Sequence, residues 1–323
     1  MKRFQLSALA LAAVLAAAIP ALASAPAPAA GLDLIPSDAL AVGQVRFDRL
    51  KTSAASAGLF HEADAVSADG NASRFLKDAG LDPKHDVDSA VFCLTSVAGK
   101  DPAPLVVFEG RFHPDALAAA SVTRGAVRID AAPLPYYRLP ARAGEHAHEA
   151  GAVAFLSSTL VVAGSEPALL HALDVYAAGT AGLPAKGFVS DAVGRVDTHS
   201  AVWAVVDTAR LQQLHRSAPS ADGTAAQLAA TLRSLSLLTF QANVSESAVS
   251  VSASGFAPDE ETRQNLEDVL RGVLAAWRMS AQSKNPELVS AIRKIRVAQT
   301  GDGVTISGDL PMETFRQKAA PSR

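Results

Sequence analysis

GRFHPDAL (Gly110–Leu117) and GFAPDEET (Gly255–Thr262) carry one pattern at two places in the chain. In each, a glycine ends an apolar run, a phenylalanine and a proline follow, and an acidic residue opens a helix-forming stretch. Pro114 and Pro258 are 144 residues apart. A second pair repeats that spacing: GSEP (Gly164–Pro167) and GDLP (Gly308–Pro311). Proline suits the first turn of a helix, where its missing N–H has no partner to lose. An acidic neighbour faces the positive end of the helix dipole, and Asp115, Asp259, Glu166 and Glu313 supply it. The first strands correspond as well. Ala41–Val45 (AVGQV) aligns with Ala201–Val205 (AVWAV) at a spacing of 160, so the first copy holds 16 extra residues before its corner.

These spacings predict an internal duplication. Each copy reads as strands interrupted by helices, which gives an α+β fold of mainly antiparallel sheets with helices packed on one face, built from two pseudo-repeats. The expected strands of the first copy are 40–47, 89–95, 105–112, 136–139 and 152–163. Those of the second are 200–207, 235–243, 248–256, 292–299 and 304–308. Ser250–Ser254 alternates polar and apolar residues, one face out and one in. The spacer Gly301-Asp302-Gly303 predicts a hairpin. Its counterpart in the first copy is expected to be a longer insert, residues 141–151. The clearest helix runs from Pro258 to Ser283, with Leu266, Val269, Leu270, Val273, Leu274 and Trp277 on one stripe and Arg263, Glu267, Asp268 and Arg271 elsewhere.

The expected organisation is a signal peptide over 1–23, an Ala/Pro-rich lead-in over 24–36, repeats over 37–185 and 186–318, and a frayed tail over 319–323. Lys2 and Arg3 precede an apolar run from Leu6 to Ile19, broken only by Ser7, and Ala21-Leu22-Ala23 offers a cleavage site. The run is shorter than the ~20 residues a membrane span needs, so no stable anchor is expected after cleavage. Export follows, to the periplasm or beyond. Cleavage leaves 27 basic against 32 acidic residues, a formal charge of −5, which argues against nucleic acid and anionic membrane as partners.

One cysteine, Cys93, excludes an internal disulfide, and its apolar surroundings make it a small core residue. No nucleophile elbow, phosphate loop, zincin helix or dinucleotide fingerprint is present. No catalytic, cofactor-binding or metal-binding residue is assigned. Two clusters carry side chains of metal-ligating type. Asp82, Asp86 and Asp88 miss the known calcium-loop spacing and read as turn and cap chemistry. His146 and His148, between Glu145 and Glu149, point one way on an extended chain, yet a hairpin-tip insert would leave them solvated.

Phe75–Asp88 (FLKDAGLDPKHDVD), with Pro36–Ala39 (PSDA) before it and Val106–Phe112 (VVFEGRF) after it, resembles a widespread uncharacterised domain family of exported bacterial proteins. Gly80 reads as a left-handed helix stop and Asp82-Pro83 as a turn. The resemblance implies an exported or envelope α+β protein and brings no catalytic residues. The expected function is binding or interaction without catalysis, with an unknown protein or an apolar ligand as partner. A carrier of an apolar ligand in the envelope is the first alternative, and a hydrolase with a dispersed active site the second.

Overall fold

The computed structural model describes residues 30–51, 70–96, 102–131, 133–140, 151–178, 188–214, 233–282 and 286–311. The leader and His146 and His148 lie outside these. The fold is α+β, and within each of its two units the described strand pairs are antiparallel. The chain divides into two compact units, residues 1–52 with 56–190, and 53–55 with 191–323.

In the first unit the strands are β1 (Ala39–Arg46), β2 (Val87–Thr95), β3 (Ala103–Gly110), β4 (Val127–Ile129), β5 (Tyr136–Arg138), β6 (Gly151–Ser157) and β7 (Leu160–Ser165). They lie side by side as β1-β2-β3-β7-β6-β5-β4. Its helices are α1 (Phe47–Leu50), α2 (Gly70–Asp78), α3 (Pro83–Asp86), α4 (Pro114–Thr123) and α5 (Glu166–Ala177), after a 3-10 turn at Ala30–Leu34. Alternation in β1, β2, β3 and β7 sends Val42, Cys93, Leu105 and Val107, and Val162 to one face, each at most 2% exposed. The helix α6 (Phe188–Val193) follows.

In the second unit β8 (Val202–Asp207) leads to α7 (Thr208–Leu214), then β9 (Leu237–Val244), β10 (Ala248–Phe256), α8 (Glu260–Gln282), α9 (Pro286–Arg293), β11 (Arg296–Thr300) and β12 (Gly303–Pro311). The strand order is β11-β12-β10-β9-β8. One core cluster joins Leu235, Ala257, Leu266 and Val304. A second joins Leu274, Val289 and Ile292, with Ile295, Val297 and Ile306 against it. Helices α8 and α9 thus cover the β11–β12 side of one sheet face.

The order β1-β2-β3-β7-β6 of the first unit recurs in the second as β8-β9-β10-β12-β11. The register at the centre differs. A 144-residue copy of the pair Leu105↔Gly164 would set Val249 opposite Gly308, whereas Val249 faces Leu310. The corners also differ. Pro114 is the first residue of α4, but Pro258 precedes Asp259, and α8 starts only at Glu260. Asp259 does the capping: it accepts the Thr262 N–H at 2.7 Å and the Thr262 hydroxyl at 2.9 Å. Pro167 lies in the first turn of α5, while Pro311 is the last residue of β12. The pairing of Pro167 with Pro311 is therefore not seen, and the two pseudo-repeats are not confirmed.

The corner glycines have steric reasons. A Cβ on Gly110 would lie 1.9 Å from the Asp86 carbonyl oxygen, and one on Gly255 would meet Leu235 at 2.7 Å and Leu266 at 3.0 Å.

Several local expectations are corrected. Residues 152–163 form two strands, β6 and β7, because Ser158 and Thr159 turn the chain. The strand β4 carried no signal, being three residues long. The hairpin Gly301-Asp302 joins β11 to β12, so its counterpart by strand order is the β6–β7 turn, not residues 141–151. Gly80 does adopt the left-handed conformation at φ 59, with the Leu81 N–H closing on the Leu76 carbonyl. Asp82, however, caps the one-turn helix α3. In α8, Glu267 is buried and paired with Arg271 at 2.5 Å, while Trp277 is 44% exposed. The helix runs about 35 Å at 1.5 Å per residue, and the apolar stripe outlasts the surface that covers it.

Candidate functional site

Among the described residues, part of one sheet face in each unit has no helix over it. In the second unit the register sets Ala204, Phe240 and Ala253 in one row across β8, β9 and β10. Val202, Val206, Val249 and Val251 share that face by alternation, and all four are half-buried. The α8–α9 cover reaches Leu238 and Ile306 on the same face. Phe240 stays 37% exposed. In the first unit the row is Gly43, Phe92 and Val106 across β1, β2 and β3. Phe92 is 36% exposed, and its face neighbours Val45 and Leu94 are half-buried. Both phenylalanines stand on the second strand of their unit's order.

No local pattern of residues marks these positions. Phe240 belongs to Leu237-Leu238-Thr239-Phe240, which reads as a buried run, and its exposure depends on where α8 and α9 stop.

A polar node occupies the opposite face of the first unit. Glu109 accepts the Gly31 N–H at 2.6 Å and the Ser89 hydroxyl, and Gln44 Nε2 donates to Ser89 at 3.4 Å. Gln44 and Ser89 are buried. The node pins the 3-10 turn over Val91 and Val107, whose methyl groups would lie 3.1 and 3.4 Å from a Cβ on Gly31. Nearby, the Lys51 side chain is 3% exposed and sits 3.4 Å from Asp88. Burial pushes its amine below the ordinary lysine value, with Asp88 pulling it back up.

The three aspartates of metal-ligating type are engaged locally. Asp82 accepts the Lys84 N–H at 2.8 Å and contacts His85 Nδ1 at 2.7 Å. Asp86 accepts the Asp82 N–H at 2.7 Å. Asp88 pairs with Lys51 and Arg111. His146 and His148 lie outside the described residues, although the strands that flank them, β5 and β6, pair with each other. Among the described residues no group of three His, Cys, Asp or Glu side chains could hold a metal ion. Cys93 is buried and its thiol is pushed up to about 12 by desolvation, then by the Asp38 charge.

In overall fold the chain is similar to TP0453. Crystal form I of that protein matches at a TM-score of 0.48 and 10% identity, over 91% of this chain and 99% of the other. Crystal form III gives 0.49 and 9% over the same shares. Crystal form IV gives 0.47 and 8%, over 90% and 96%. No curated protein matches the sequence. No family model matches either, so that comparison adds nothing to the resemblance to an uncharacterised exported family. No helix among the described residues is long and apolar enough to cross a membrane.

Proposed function

We propose that this protein is exported and acts by binding, holding an apolar surface of a partner against the uncovered sheet face around Phe240. The supporting observation is the Phe240 row. A phenylalanine over a third exposed has Ala204 and Ala253 beside it in its row and half-buried Val202, Val206 and Val251 at the diagonal positions. Contiguous exposed apolar surface of this kind marks interaction sites in soluble proteins. The Phe92 row offers the same chemistry in the first unit. Export rests on the charged, apolar and Ala-x-Ala pattern of residues 1–23.

The test is native mass spectrometry of the chain purified from its source, run beside titration with the apolar dye 1-anilinonaphthalene-8-sulfonate. The wild type should bind the dye and Phe240→Thr should lose most of that signal. The substitution should cost about 2 kcal/mol or less, because the ring is only partly buried. A co-purifying lipid lost in Phe240→Thr would select the carrier reading, and a co-purifying protein the interaction reading. Dye binding that ignores the substitution overturns the proposed site.

A further inference from the structure

The second unit ends on β11, and β12 is its one partner among the described strands. The register runs without a shift from Arg296↔Ser307 to Thr300↔Gly303. Gly301 and Asp302 form the two-residue loop between them, with Gly301 at φ 61. In a hairpin of this length the pair flanking the loop exchanges both hydrogen bonds. Alternation then turns the Ala298 and Arg296 peptides toward β12 as well. The N–H and C=O groups of Val297 and Gln299 face the other way, along the outer edge.

Edge strands of natural sheets are commonly guarded by a proline, a bulge or charged side chains along the edge. The strand β11, RVAQT, has no proline, and its register has no bulge. It carries instead a concentration of positive charge. Arg293, Lys294 and Arg296 fall within four residues, all are exposed, and none is paired with a carboxylate among the described residues. This stands out in a mature chain of charge −5. Arg296, Ala298 and Thr300 share one exposed face of the strand.

From the open edge and the unpaired cations together, we infer that β11 accepts an added strand from an acidic, extended segment of a partner protein. The backbone supplies a sequence-independent ladder at Val297 and Gln299. The three cations select for carboxylates: one opposite Arg296 in a cross-strand pair, others beyond the strand's start near Arg293 and Lys294. This surface is separate from the Phe240 row, so either assignment can fail alone.

The probe is the capped peptide Glu-Val-Glu-Val-Thr-Val-Glu-Val-Glu, with a control in which every Glu is Lys. The protein is the full mature chain. Binding of the acidic peptide should slow amide hydrogen exchange at Val297 and Gln299, and its affinity should fall several-fold between about 50 and about 300 mM salt. The triple variant R293E/K294E/R296E should weaken it about tenfold or more with an unchanged unfolding midpoint. Gln299→Pro should also abolish binding, because it removes an outward N–H and leaves the charges in place. If that proline unfolds the hairpin, the charge-reversal variant and the exchange data still decide. Equal binding of the Lys control overturns the inference. So does unchanged exchange at Val297 and Gln299, or a dimer of this chain in which those amides are already protected.

Discussion

Glu166 shows how a single side chain ties this fold together. It opens α5, accepts Arg138 at 2.5 Å and takes the Tyr136 hydroxyl. Arg138 holds its carboxyl below the ordinary value, burial opposing. Ionised Glu166 therefore stabilises the fold above the ordinary carboxylate range, and that contribution is lost as pH falls through the lowered value. In denaturant titrations the wild type should be more stable than Glu166→Gln at neutral pH, and the gap should close under acid. A gap that widens under acid contradicts the assignment. The sequence placed Glu166 at a helix start but could not show Arg138 and Tyr136, which arrive from β5, 28 and 30 residues away. His146 and His148 lie outside the described residues, and the prediction for them rests on the sequence alone. Replacing both with Ala should change stability by no more than about 0.5 kcal/mol. Calorimetric unfolding with and without zinc checks this. A zinc-dependent rise in midpoint, lost in the double variant, would establish a metal site, since a ligand bound only to the folded state raises its stability.

Among the elements, those with strong periodicity were legible and those defined by their neighbours were not. The helix α8 is readable because its apolar residues recur at three- and four-residue steps, and Leu266 and Leu274 are indeed buried. Its exposed back face holds a glycine, Gly272, with open space where a Cβ would go. Gly272→Ala should therefore stabilise the protein by about 0.5–1 kcal/mol, read from chemical unfolding, because alanine removes backbone entropy from the unfolded chain without meeting a neighbour. A loss of stability would mean that α8 carries a contact on that face. Short strands escaped the sequence because three residues cannot establish a period. The β6–β7 turn escaped because Ser158-Thr159 lacks glycine and proline, the usual marks of a reversal. The Phe240 and Phe92 rows escaped for a different reason: exposure on a sheet face is set by the reach of the covering helices, which local sequence does not encode.

On the scale of the whole molecule, the alternation of strands and helices sufficed for the α+β class, whereas the repeated corners from which a duplication was expected fall in different structural settings. Export remains tied to the first 23 residues, and N-terminal sequencing of protein from the envelope fraction should begin at Ser24; a mature chain starting at Met1 overturns it. The central pairings of the two sheets differ by two residues relative to the 144-residue spacing. Two is the period of a strand, so the slip leaves every side chain on its original face, whereas a slip of one would trade the core for the solvent side throughout the strand. Natural variation should therefore obey a parity rule. Where relatives of this chain gain or lose residues within β3, β7, β10 or β12, or in slack that is taken up by sliding those strands, the changes that survive should come in even numbers. Odd ones should survive only where a bulge absorbs the remainder.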